Sequence, residues 1–104
     1  MRLFYDHLVD RKALASLINE ASDPKERVKL MKLIDETVHN TVLDVIFSHL
    51  DEKHHEEFLV MLHKEPHAAG ILVYLKEKAH PQIEEIIKER IENLKNKLIS
   101  ESRT

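Results

Sequence analysis

The sequence predicts an all-α protein, a small bundle of four to five helices, and three observations carry that prediction. The 104 residues include one Gly and three Pro, far below the roughly 12% of average usage. Turns, hairpins and phosphate-cradling loops consume those residues, which argues against a β-sandwich, a P-loop fold or a dinucleotide fold. There is no Cys, which removes disulfides, thiolate zinc sites and Cys nucleophiles. Apolar residues recur in steps of three or four along most of the chain, the period of an amphipathic helix. The length fits one domain, residues 1–104, with a modest core. Aromatics make up 5%, so an aliphatic core of Leu, Ile and Val is expected.

The few punctuation marks set helices at about 3–21, 24–50, 51–64, 66–79 and 81–100, the second and last being long. In the first, Leu8, Leu14, Leu17, Ile18 and Ala21 fit a helix broken or started near Asp10, behind an apolar cluster of Leu3, Phe4 and Tyr5. That cluster reads as a lid on the core or as a docking patch, so residues 1–22 form an N-terminal helix or lid and residues 23–100 the core bundle. Asp23 can cap the second helix, Pro24 suits its first position, and Glu26 stands where a capping box places an acid. Its stripe is Val28, Met31, Ile34, Val38, Val42 and Val45, and Leu30, Leu33, Leu43, Ile46 and Phe47 widen it.

Asp51 is the next cap candidate, followed by His55, Phe58, Leu59 and Leu62 on one face and Glu52, Lys53, Glu56 and Glu57 mostly on the other. Pro66 then opens a short apolar helix with Ala69, Leu72, Val73 and Leu75. Gly70 inside it costs about 1 kcal/mol relative to Ala, which suggests close approach of a neighbouring backbone. Pro81 opens the last helix, whose seam is Ile83, Ile87, Ile91, Leu94 and Leu98. Glu84–Lys88 and Glu92–Lys95 are favourable pairs along it, and residues 101–104 are a polar, fraying tail.

Charge and hydropathy narrow the function classes. Sixteen Lys+Arg and nineteen Asp+Glu give a net charge of −3. Both signs are mixed over each large section, without the one-signed face that nucleic acid requires. The longest apolar run, Ile71–Leu75, is far too short to span a membrane. Met1-Arg2-Leu3-Phe4-Tyr5-Asp6 turns polar too soon for a signal peptide, so a cytoplasmic chain is expected, with no nucleic-acid or membrane partner.

The eight His are the most chemically suggestive residues: His7, His39, His49, His54, His55, His63, His67 and His80. Glu36…His39, Glu52…His55 and Glu77…His80 share the Glu-x-x-His spacing, which puts a carboxylate and an imidazole on one helical face, as in di-iron bundles. Glu36 lies about 200° around the helix from Val38, away from the stripe where a core metal would sit. The other two pairs start or straddle a helix end. Glu36, His39, Glu52 and His55 are therefore metal-ligand candidates, but each motif supplies a pair where a tight site needs three or four ligands. Ser48-His49 are adjacent yet do not face one another on a helix, and no Ser lies in a nucleophile elbow. No catalytic residue and no cofactor is expected.

From Asp23 to about Leu98 the chain resembles an uncharacterised bacterial all-helical domain family, a domain of unknown function. The residues that carry this are Asp23-Pro24 with Glu26, Ile34-Asp35-Glu36, Val42-Leu43, Leu50, Phe58, Leu62, Tyr74-Leu75, Pro81, Ile86-Ile87 and Leu94-Lys95. Ile83 departs from it, standing where the family has an aromatic. The resemblance implies a helical fold and no chemistry.

The last helix decides the functional expectation. Its seam runs for about five turns and can outrun a small core, leaving Ile87, Ile91, Leu94 and Leu98 to meet a partner. The chain is expected to be a non-enzymatic interaction or self-association module working through that helix. The closed alternative has residues 1–20 folding back over the seam. The second functional reading is a small metal-binding protein built on the Glu-x-x-His pairs.

Overall fold

The protein is an all-α bundle; the computed structural model describes residues 3–20 and 23–102. Among the described residues there are five α-helices and no strand: α1 (Arg11–Asn19), α2 (Pro24–His49), α3 (His55–Lys64), α4 (Ala69–Lys78) and α5 (Ile83–Ser102). Single 3-10 turns at Asp6–Leu8 and Glu52–His54 precede α1 and α3. Ala21, Ser22, Arg103 and Thr104, which fall in the expected end of the first helix and in the tail, lie outside the described residues.

Helix α2 is the spine. Asp23 accepts a hydrogen bond from the Lys25 N–H at 3.0 Å and Pro24 occupies the first turn, so an orphan donor is satisfied where Pro has none to offer. Its 26 residues make a rod of about 39 Å, close to the 45 Å long dimension of the molecule. Helix α5 lies antiparallel along it. Asp44 pairs with Arg90 at 3.7 Å, while Val38, nearer the start of α2, lines one small void together with Ile91 and Leu94, further along α5. Ile34, Val38, Val42 and Val45 from α2 and Ile83, Ile87 and Ile91 from α5 are buried in the shared seam.

Helix α1 folds back over that seam. Asp10 caps α1 by accepting from the Ala13 N–H at 3.2 Å, and the Lys95 ammonium reaches the other Asp10 oxygen at 3.4 Å and Glu92 at 2.6 Å. Leu14 and Leu17 are buried beneath it. Ahead of α1, Phe4 and Tyr5 are core residues, and the Phe4 N–H donates to the Pro66 carbonyl at 2.8 Å. Phe4 meets Phe58 edge-on at 6.3 Å between ring centres, and Phe58 meets Phe47 at 5.8 Å. The sparse aromatics thus collect at one end of an otherwise aliphatic core, in the edge-to-face geometry that ring quadrupoles favour.

Several local expectations are corrected. Helix α4 starts at Ala69, not Pro66, because Pro66 sits in the turn whose carbonyl Phe4 uses. Pro81 likewise lies ahead of α5, in a turn where His80 Nδ1 accepts from the Gln82 N–H at 3.0 Å. Asp51 makes no side-chain cap. Nothing lies within 4 Å of a Cβ built on Gly70, so no neighbouring backbone approaches it. Val28 and Met31 continue the buried stripe in sequence but are exposed, as are Leu33, Leu59 and Val73.

Two predictions follow from the caps and this glycine. Gly70→Ala should stabilise the protein by about 0.5–1 kcal/mol, since it removes backbone freedom from the unfolded chain without a clash; a urea titration reads it. The Ala13 N–H and then the Lys95 ammonium hold the Asp10 carboxyl below its usual value, and Lys76 does the same for Glu84. A carboxylate so lowered contributes stability above the usual carboxylate range and loses it as pH falls through the folded value. Melting temperatures at neutral pH should rank wild type above Asp10→Asn, which keeps a cap acceptor but loses the charge, and Asp10→Asn above Asp10→Ala. The advantage of wild type over Asp10→Asn should shrink on acidification while that of Asp10→Asn over Asp10→Ala stays; a wild-type advantage undiminished at low pH would contradict the assignment.

Candidate binding surfaces

An open cleft of about 850 Å³ lies between the N-terminal segment, α1 and α2. Leu3, Val9, Leu14 and Val38 give it apolar walls; Asp6, Asp35, Glu36, His39 and Asn40 give it polar ones. The chain reaches this geometry because α2 presents residues 35, 36 and 39 to the side on which the segment from Leu3 to Val9 crosses it. The Tyr5 hydroxyl and His39 Nδ1 are hydrogen-bonded at 2.8 Å, tying that segment to α2. Asp6 is turned toward its own backbone and accepts from the Leu3 N–H at 2.8 Å. The His39 partner is a phenol already buried in the core. The hydrogen bond to Tyr5 orients the His39 imidazole at the wall of the cleft.

The metal candidates separate into two places. Glu36 and His39 both line this cleft, whereas Glu52 lies in the 3-10 turn before α3. The His55 Nε2–H donates to the Leu50 carbonyl at 2.8 Å, and its ring packs 4.7 Å from Phe47. That imidazole closes the turn between α2 and α3. His49 similarly donates to the Val45 carbonyl at 2.8 Å. Among the described residues no group of three or more His, Asp or Glu is placed to hold a metal ion.

The expected partner surface on α5 is corrected in half of its residues. Ile87 is 0% and Ile91 3% exposed, both packed in the seam with α2. Leu94 and Leu98 are half-buried against the same core. Residues 1–20 were the alternative cover for that seam, and α1 with Leu14 and Leu17 lies over it.

The large exposed apolar side chains stand elsewhere, in two groups. On the first part of α2 are Val28 at 61%, Met31 at 48% and Leu33 at 59%; on α3 and α4 are Leu59 at 46%, Val60 at 48% and Val73 at 64%. Met31 precedes Ile34 by three residues and Val38 by seven, so it continues the face that is buried further along. Leu33 lies about 160° around the helix from Met31 and belongs to the outer side. Charge accompanies each group. Residues 24–33 hold Lys25, Arg27, Lys29 and Lys32 against one acid, Glu26. Residues 51–60 hold Asp51, Glu52, Glu56 and Glu57 against one base, Lys53. Totals over the first fifty residues conceal the basic group, because Asp6, Asp10, Asp35, Glu36 and Asp44 cancel it; a ten-residue window reveals it.

Among the described residues no helix is long and apolar enough to cross a membrane. Compared with known protein families, characterised proteins and solved structures, the chain matches none, so its functional reading rests on its own geometry.

Tyr5→Phe tests the link between the N-terminal segment and α2. Loss of the hydroxyl should cost about 1 kcal/mol of stability and perturb the His39 ring resonances while leaving helix content unchanged. A variant as stable as wild type with an unmoved His39 would contradict the bond.

Proposed function

We propose that this chain is a non-enzymatic helical interaction module, working in the cytoplasm and binding a protein partner mainly through the first part of α2. The observation that carries the reading is the exposed continuation of the core stripe. Val28 and Met31 continue in sequence the stripe that buries Ile34 and Val38, yet they are 61% and 48% exposed. An apolar helical face left in water and rimmed by charge is how helix-in-groove and helix-pairing partners are met. The interaction surface on α5 gives way to that on α2, because Ile87 and Ile91 are spent within the chain.

A photo-crosslinking residue in place of Met31 tests this. Illuminated in cells, it should give a discrete adduct, while the same group at Glu89, an exposed position on α5, should give none. The absence of any discrete adduct at position 31, or equal labelling from both positions, would contradict the reading.

A further inference from the structure

We infer that His80 is a pH-sensitive joint between α4 and α5: the neutral ring closes the turn that starts α5, and the protonated ring must release it. The hydrogen bonds that converge on this one residue carry the inference, which is independent of the interaction surface on α2. The His80 N–H donates to the Leu75 carbonyl at 3.0 Å, closing the end of α4. Its carbonyl accepts from the Ile83 N–H at 3.1 Å, and its Nδ1 accepts from the Gln82 N–H at 3.0 Å. Leu75 and Ile83, on either side of the joint, are both 0% exposed. Pro81 has no N–H, so Gln82 carries the first donor of the turn. Neither neighbour, Ala79 or Pro81, has a side-chain acceptor to take the place of the ring.

The bond fixes the state of the ring. A backbone N–H can only donate, so Nδ1 holds a lone pair and the neutral imidazole carries its proton on Nε2. A second proton would sit on Nδ1, turning the acceptor into a donor that faces a donor. The positive end of α5 opposes that charge as well. His49, at the end of α2, is built the opposite way. Its Nδ1 donates to the Val45 carbonyl at 2.8 Å, a bond that a protonated ring keeps, at a helix C-terminus that favours the charge. The two rings meet edge-on with 6.0 Å between centres, so a charged His49 repels a charge on His80. No carboxylate is paired with His80 to offset this: none of the ion pairs among the described residues includes it. Glu77 and Lys78, at the end of α4, are exposed. On α5, Glu84 is held by Lys76 at 3.0 Å and by His7 at 3.7 Å. Glu89 lines the groove beside His49, where Asp44 is paired with Arg90.

Two measurements on the full chain test this. Long-range nitrogen–proton correlation spectra at neutral pH should show the His80 proton on Nε2; a neutral ring protonated on Nδ1 would overturn the proposal. Melting temperatures of wild type, His80→Asn and His80→Ala are then compared at about pH 7.5 and about pH 5, either side of the ordinary imidazole range. Asn keeps an acceptor that does not titrate, and Ala removes it. Wild type should exceed His80→Ala by about 2–5 °C at the higher pH and match it at the lower, while His80→Asn should keep its margin over His80→Ala at both. The other His titrate in all three proteins, so the differences isolate residue 80. A wild-type margin that survives acidification, or one absent at both values, would overturn the joint. Should a variant fail to fold, amide exchange of wild type decides. Protection of the Gln82 N–H, corrected for the intrinsic rate, should fall several-fold over the same range, and unchanged protection would overturn the proposal.

Discussion

The rest of the structure depends on a mismatch of lengths: α2 is longer than anything that packs on it. A helix of 26 residues is held by an antiparallel α5 of 20 residues and a back-folded α1 of nine. Their cover is complete from Ile34 to Ile46 and incomplete ahead of Ile34. A one-sided apolar stripe along a long helix must meet apolar surface somewhere. Within the chain it does so along the seam of Ile34, Val38, Val42 and Val45 with Ile83, Ile87 and Ile91. Beyond that seam the same stripe stands in water. The core and the candidate interface are therefore successive parts of one surface.

The N-terminal segment determines how far the cover extends. Phe4 is fixed by its hydrogen bond to Pro66 and by Phe58, and Tyr5 by His39. These anchors lie toward the part of α2 that precedes α3. From there the chain can run only nine residues of α1 back along α2 before it turns. Asp10 fixes where that run begins, through its cap on Ala13 and its bridge to Lys95. Burying Phe4 and Tyr5 is favourable by about 2 kcal/mol or more each, so the segment is held where those rings fit and not where α2 lacks a neighbour.

Periodicity and caps made the helices legible: Asp23-Pro24 marks the start of α2 to the residue, and the Ile spacing identifies α5. What the period cannot convey is which stretch of a stripe finds a cover. Val28 and Met31 are indistinguishable by spacing from Val38, yet the first two are exposed and the last is buried. The same blindness assigned Ile87 and Ile91 to a partner, because a chain that folds back on a seam and a foreign helix that docks there leave one sequence pattern. Pro66 and Pro81 misplaced two helix starts by two or three residues, since Pro suits a preceding turn as well as a first turn. The clusters of His were equally opaque. Whether His55 binds a metal or closes a turn depends on the Leu50 carbonyl lying within its reach, a three-dimensional fact.

A protein partner on the first part of α2 would complete the cover that the fold leaves unfinished at Val28 and Met31. Amide hydrogen exchange along α2 tests this most directly. Amides from Lys29 to Leu33 should exchange faster than those from Val38 to Ile46, because Val28, Met31 and Leu33 are exposed while Val38, Val42, Val45 and Ile46 are buried. Protection that is uniform along α2 would contradict the account.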